Sequence, residues 1–270
     1  MDISDIFNDL HKFGLKAVAS RQTEIFVPEV EKAVGVKEKE VAPFNIDDYV
    51  YEKKFRCPVC EQTFTCDVVK ESKIKVQSIE FDLRPICVPV DPLYYGIVVC
   101  NTCGYSAVNR VFDKIMKKQA EKIIGEIAPN FVYRSYPKEP EIDMVIDRYK
   151  LALLNAVVKQ AKDGEKAYIC MKLTWLYRIK GNEHENELKF AKLTVSGFNN
   201  ALAKEYCPIL GLEEGTILCL LGAFQMTLGD NASALKILSS VITSNRVSHR
   251  LKDRARDLKS EMLSKQLQPS

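Results

Sequence analysis

The spacing of apolar residues changes twice along the chain, and the changes divide it into segments. In residues 1–20, Ile3, Phe7, Leu10 and Ala17, helped by Ile6 and Phe13, recur at helical spacing and predict an amphipathic helix. Its polar face carries Asp2, Asp5 and Asp9, where helices that lie on lipid carry Lys and Arg, so it reads as a helix docked on the protein body. Residues 21–48 hold the charge run Lys37-Glu38-Lys39-Glu40 between Pro28 and Pro43 and read as a linker.

From 49 to 108 the period shortens to two. Residues 64–69 and 74–79 alternate, and 97–99 form a short apolar strand. Pro85, Pro89 and Pro92 predict irregular loop in between. The helical period returns in 109–140, with Asn109 placed to cap a stripe of Phe112, Met116, Ala120, Ile123 and Ile127 that ends before Pro129. An irregular stretch with Pro137 and Pro140 follows.

Residues 141–270 read as helices at about 142–162, 165–180, 183–206, 216–228, 231–244 and 248–265. Gly164, Gly181 and Gly229 are placed to stop helices, Pro208 follows one, and Asn182 with Glu185 has capping-box spacing. Two stretches share a helix-pair pattern. The clearer one is Leu218, Leu221-Gly222, Gln225, Leu228, Gly229-Asp230, Ala234, Leu238 and Val241; the looser one is Leu173, Tyr177, Gly181-Asn182, Ala191, Val195 and Phe198. Trp175 falls among these and reads as core. The fold class expected is α+β, mostly α: a small β-rich zinc-ribbon-like module at 49–108, then an antiparallel helical-hairpin, tetratricopeptide-like stack.

Charge narrows the function classes. The 39 basic and 36 acidic residues leave +3, too little to draw the chain as a whole onto nucleic acid or an anionic membrane. Seven basic residues in the last predicted helix region, Arg246 to Lys265, outnumber three acidic ones, which reads as a solvated face. No apolar run approaches the roughly 18–20 residues of a membrane span, and no basic start with an apolar block marks a secretory signal. The cytoplasm is the expected location, and in a reducing compartment paired cysteines bind metal or stay free.

Of nine cysteines, four stand as two pairs, Cys57-Pro58-Val59-Cys60 and Cys100-Asn101-Thr102-Cys103-Gly104. A two-residue gap lets both thiolates of a pair face one ion, so two such knuckles supply a closed tetrahedral Zn²⁺ site. Gly104 suits the backbone after the second knuckle, whereas Glu61 occupies the matching place in the first. Four thiolates leave no position for water, so the site is expected to be structural. Cys66 and Cys87 lie between the knuckles as extra or alternative ligands, while Cys170, Cys207 and Cys219 fall on helical stripes and read as core.

These motifs resemble a bacterial domain-of-unknown-function family, numbered twenty-two twenty-five. The likeness rests on residues 57–60, on Asp91-Pro92-Leu93-Tyr94-Tyr95 and on Val99-Cys100-Asn101-Thr102-Cys103-Gly104-Tyr105. It extends to Trp175-Leu176-Tyr177-Arg178 with Gly181-Asn182, and to Gly229-Asp230 with Ala234-Leu235. The resemblance implies a zinc-ribbon-like front and a tetratricopeptide-like back in a bacterial cytoplasmic protein, and it supplies no activity.

Three functions compete. A protein-interaction scaffold agrees with the repeat pattern and with the lack of a catalytic arrangement around His11, His184 and His249. A nucleic-acid role, common for zinc ribbons, meets seven basic residues against seven acidic ones between Tyr51 and Cys103, which four thiolates and one Zn²⁺ bring to about −2. An enzyme would be sought first at Asp82, Asp91 and Tyr94. The expectation is a scaffold and no enzyme, with a protein or peptide partner.

Overall fold

The computed structural model describes residues 44–266, and the predicted helix at 1–20 lies outside them, as does most of the linker. Residues 45–266 belong to one compact unit. Among the described residues six short strands come first, as three separate antiparallel hairpins. β1 (Val50–Arg56) pairs with β2 (Thr63–Val69), β3 (Lys75–Ile79) with β4 (Pro85–Val88), and β5 (Ile97–Val99) with β6 (Ser106–Val108). Seven α-helices follow: α1 (Lys117–Glu126), α2 (Ile142–Val158), α3 (Asp163–Lys180), α4 (His184–Lys204), α5 (Glu214–Thr227), α6 (Asn231–Thr243) and α7 (His249–Gln266). The chain is α+β and mostly α, as its periodicity predicts.

Each of α2 to α7 packs against the next, so the stack is built largely from sequence neighbours. Gly181 ends α3 in the left-handed conformation, at φ +81°, and Gly229 turns the chain from α5 to α6 at φ +79°. A Cβ on Gly222 would lie 2.6 Å from Leu238 Cδ2, so α5 and α6 approach as closely as they do because that position has no side chain. Ala234, Leu238, Val241, Ala255, Leu258 and Met262 are buried, which carries the apolar stripe through α6 and α7.

Several local expectations give way to longer-range contacts. Pro85 opens β4 where loop was expected; proline is tolerated at the first position of a strand, where no ladder donor is needed. Asn109 begins a 3-10 turn and caps nothing, and the α-helix starts only at Lys117, with Gln119 Oε1 accepting from Met116 N. Phe112, Ile123 and Ile127 are buried as the stripe requires, but Met116 is exposed. Asn182 does not cap α4, whose N-terminal residue position is held by Glu183. Gly164 lies inside the first turn of α3, where the Glu205 carboxylate accepts from its N–H at 2.8 Å and the Ile209 side chain fills the place of a Cβ.

Candidate metal centre

The two cysteine pairs sit in the turns of two hairpins. The β1–β2 turn carries Cys57 and Cys60, and the β5–β6 turn carries Cys100 and Cys103. The turns are built alike. Glu61 N donates to Cys57 O at 2.9 Å and Cys57 N to Gln62 O at 2.9 Å; Gly104 N donates to Cys100 O at 3.1 Å and Cys100 N to Tyr105 O at 2.8 Å. Glu61 and Gly104 share a left-handed backbone, at φ 62° and 72°, so the glutamate adopts the conformation that glycine takes in the second knuckle. Val59 N points at Cys57 Sγ, 3.4 Å away.

Across the knuckles the sulfurs meet. Cys57 Sγ lies 3.6 Å from Cys103 Sγ, and Cys60 Sγ lies 3.6 Å from Cys100 Sγ. All four fall within 4.8 Å of one another. A tetrahedron with metal–sulfur bonds of about 2.3 Å has edges of about 3.8 Å, so the four atoms stand where such an ion requires them. Cys57 and Cys100 are fully buried and Cys103 nearly so. The thiols also compete for protons: hydrogen bonding to Cys100 pushes Cys57 up to about 12 and raises Cys103, while the same bonds, led by that from Cys103, draw Cys100 down to about 2. One negative charge is thereby held easily and further ones are resisted, a balance that a shared cation would change.

The surroundings keep the two hairpins in place. Phe55, Phe64, Phe112 and Tyr105 form an aromatic group with ring centroids 5.0–5.9 Å apart, and Ile123 of α1 and Ile127 just after it pack against the same cluster. Asn155 of α2 donates to Gly104 O at 3.2 Å and to Ser106 Oγ at 3.0 Å, and Arg148 of α2 donates to Ile97 O. Tyr105 OH donates to Phe112 O at 3.1 Å.

The remaining cysteines stay away from this centre. Cys66 lies against Arg148, 3.5 Å from Nη2, and burial raises its thiol. Cys87 lines a separate cavity. Cys170 and Cys219 are buried in helices as expected, but Cys207 falls after α4 and is only half-buried.

Asp82, Asp91 and Tyr94 each have partners within the fold. Asp82 is fully buried, accepting from Trp175 Nε1 at 2.9 Å and Arg178 Nη1 at 2.7 Å. Arg178 also pairs with Glu80 at 3.2 Å and Glu187 at 2.9 Å, so this network fastens the β3–β4 hairpin to α3 and α4. Burial nevertheless raises the Asp82 carboxyl above its usual range, more than Arg178 lowers it. Asp91 pairs with Arg84 at 2.9 Å and accepts from Leu93 N at 2.9 Å. Tyr94 packs, half-buried, against the helical core.

The sequence profile of a bacterial family, described as uncharacterised protein conserved in bacteria (DUF2225), matches residues 50–262. The chain belongs to that family. The match takes in both cysteine knuckles, all six strands and all but the last residues of α7. Comparison with curated proteins and with solved structures gave no match. No described helix of this DUF2225 member is long and apolar enough to cross a membrane.

Proposed function

We propose that Cys57, Cys60, Cys100 and Cys103 hold one Zn²⁺ with a structural role, and that the protein is an interaction scaffold for a protein or peptide partner. The convergence of two knuckles, some forty residues apart, onto 3.6 Å sulfur contacts carries the metal reading. Zn²⁺ suits four thiolates and imposes no geometry of its own beyond the tetrahedron that the sulfurs already form. A filled shell leaves no place for substrate or water. The ion would instead tie two hairpins of only three to seven residues per strand, and such sites contribute roughly 10–16 kcal/mol of apparent folding free energy in small modules.

Support for a scaffold comes from the surface beside α2. Val132 is 80% exposed, Leu154 51% and Val157 56%. Next to them runs a groove whose walls include Phe131, Tyr136, Met144 and Leu151, with Arg134, Asp147 and Lys150 along it. An apolar centre with charged residues around it has the make-up of a protein-binding patch. The tetratricopeptide-like reading of the stack agrees with peptide recognition. The nucleic-acid alternative still faces a cysteine module with no net positive charge.

The test is quantitative capture from bacterial lysate by the full chain and by a Leu154→Glu/Val157→Glu variant. These side chains already face solvent, so the variant should fold. Expected is a partner retained by the wild type at moderate salt and lost by the variant. Identical capture profiles would remove this surface as the basis of the scaffold reading.

A further inference from the structure

A cavity of about 480 Å³, lined by Cys87 but by none of the four clustered cysteines, lies between the segment around β4 and helices α2 and α3. That volume is in the range that takes a small organic ligand. Its walls mix aromatic rings with three cations, Arg84, Arg110 and Lys172, and two carboxylates, Glu71 and Asp91. Arg84 is neutralised within the wall by Glu80 at 3.1 Å and Asp91 at 2.9 Å. Arg110 donates to the Leu210 carbonyl, a neutral partner. Lys172 has its ammonium nitrogen 4.1 Å from the Trp175 ring centroid and 5.1 Å from that of Tyr168. Among the described residues neither Arg110 nor Lys172 is ion-paired.

We propose that Lys172 is a reactive amine in a ligand site, and that the site takes a small carbonyl compound bearing an anionic group. The ligand's anion would be met by Arg110, and its carbonyl carbon by the Lys172 nitrogen. Condensation forms a carbon–nitrogen double bond and releases the carbonyl oxygen as water; both amine protons leave, with no change of oxidation state. Trp175, held from behind by Asp82, supplies a fixed face for the lysine side chain.

The Trp175 and Tyr168 ring faces favour the ammonium form of Lys172, and burial works against them. Burial lowers its ammonium to about 7; Asp91 and Asp82 oppose that fall, and Arg84 and Arg110 add to it. A large fraction of the amine is then neutral near pH 7, against about one part in a thousand for an ordinary exposed lysine. The proposal stands apart from the zinc and scaffold readings, since the cavity shares no residue with either site.

The test uses the full-length protein with two probes, pyridoxal 5′-phosphate and glyoxylate, each trapped with borohydride and mapped by peptide mass spectrometry. At pH 7.5 Lys172 should be modified on the order of tenfold faster than exposed lysines such as Lys236. The pH midpoint of its labelling should lie near 7, and inorganic phosphate should slow the pyridoxal phosphate reaction. Uncharged pyridoxal should label more weakly. Lys172→Met, which keeps the packing on Trp175, should abolish the fast phase without altering metal content. Labelling spread over lysines according to exposure, or a midpoint near 10 in the wild type, would overturn the proposal whether or not the variant folds. Equal labelling by pyridoxal and its phosphate would refute the anion site.

Discussion

Replacing Gly104 with Ala perturbs the second knuckle in two separable ways. Its φ of 72° is a left-handed conformation that costs an L-residue roughly 1–2 kcal/mol. The new Cβ would also lie 2.5 Å from Phe131 Cδ2, well inside van der Waals contact, so the ring must move. Forced repacking of that kind costs typically 1–3 kcal/mol. Together the loss should reach about 2–5 kcal/mol, read as a lower urea midpoint with unchanged slope. The same assay on Glu61→Gly supplies the contrast. Glu61 holds the matching backbone conformation, at φ 62°, and its ion pair with Arg56 has both side chains more than 70% exposed, so little is lost with it. That change should be neutral or slightly stabilising. If Gly104→Ala were as stable as the wild type, or Glu61→Gly fell as far, the equivalence of the two knuckles would be wrong.

Other perturbations should read out different parts of the structure. Asp82→Ala strips the Trp175 N–H of its acceptor but leaves Arg178 with Glu80 and Glu187, so the loss should be near 3 kcal/mol, at the low end for a broken buried pair, by chemical denaturation. Because burial raises the Asp82 carboxyl, the pH-dependent part of its contribution to stability is complete below the ordinary value of 3.8 and is lost as pH rises through the raised one. Asp82→Asn, which does not titrate, should lack that component of the stability–pH slope, as urea midpoints measured from pH 3 upward would show. Ala234→Leu forces a larger side chain into a fully buried position of α6 and should lower stability by about 1–3 kcal/mol; unchanged melting would count against the close packing around α6.

The four-cysteine cluster is legible because each half of it is local: two cysteine pairs at a fixed gap, each needing only a tight turn. Helix ends were legible for a similar reason, since Gly181 and Gly229 do adopt the left-handed conformation that stops a helix. What failed depended on partners far along the chain. Gly164 looks like a helix stop until Ile209 and Glu205 are seen to occupy the space beside it. Asp82 gives no sign in the sequence of its contacts, yet Trp175 and Arg178, more than ninety residues away, both donate to its Oδ2. β6 is three residues long, too short to show a period, and is defined by its pairing with β5. Lys172 carried no motif at all. Its setting arises from Asp91, Arg84 and Trp175 lining one cavity with it, which periodicity cannot bring together.

Zinc stoichiometry tests the central claim most directly. Native mass spectrometry of the full chain, purified without added metal, should show one zinc per folded wild-type molecule, released only when chelation under denaturing conditions frees the cysteine thiols. Cys100→Ser should carry no tightly held zinc. A folded, metal-free wild type with all nine thiols open to titration once denatured, and no zinc uptake on addition, would contradict the account.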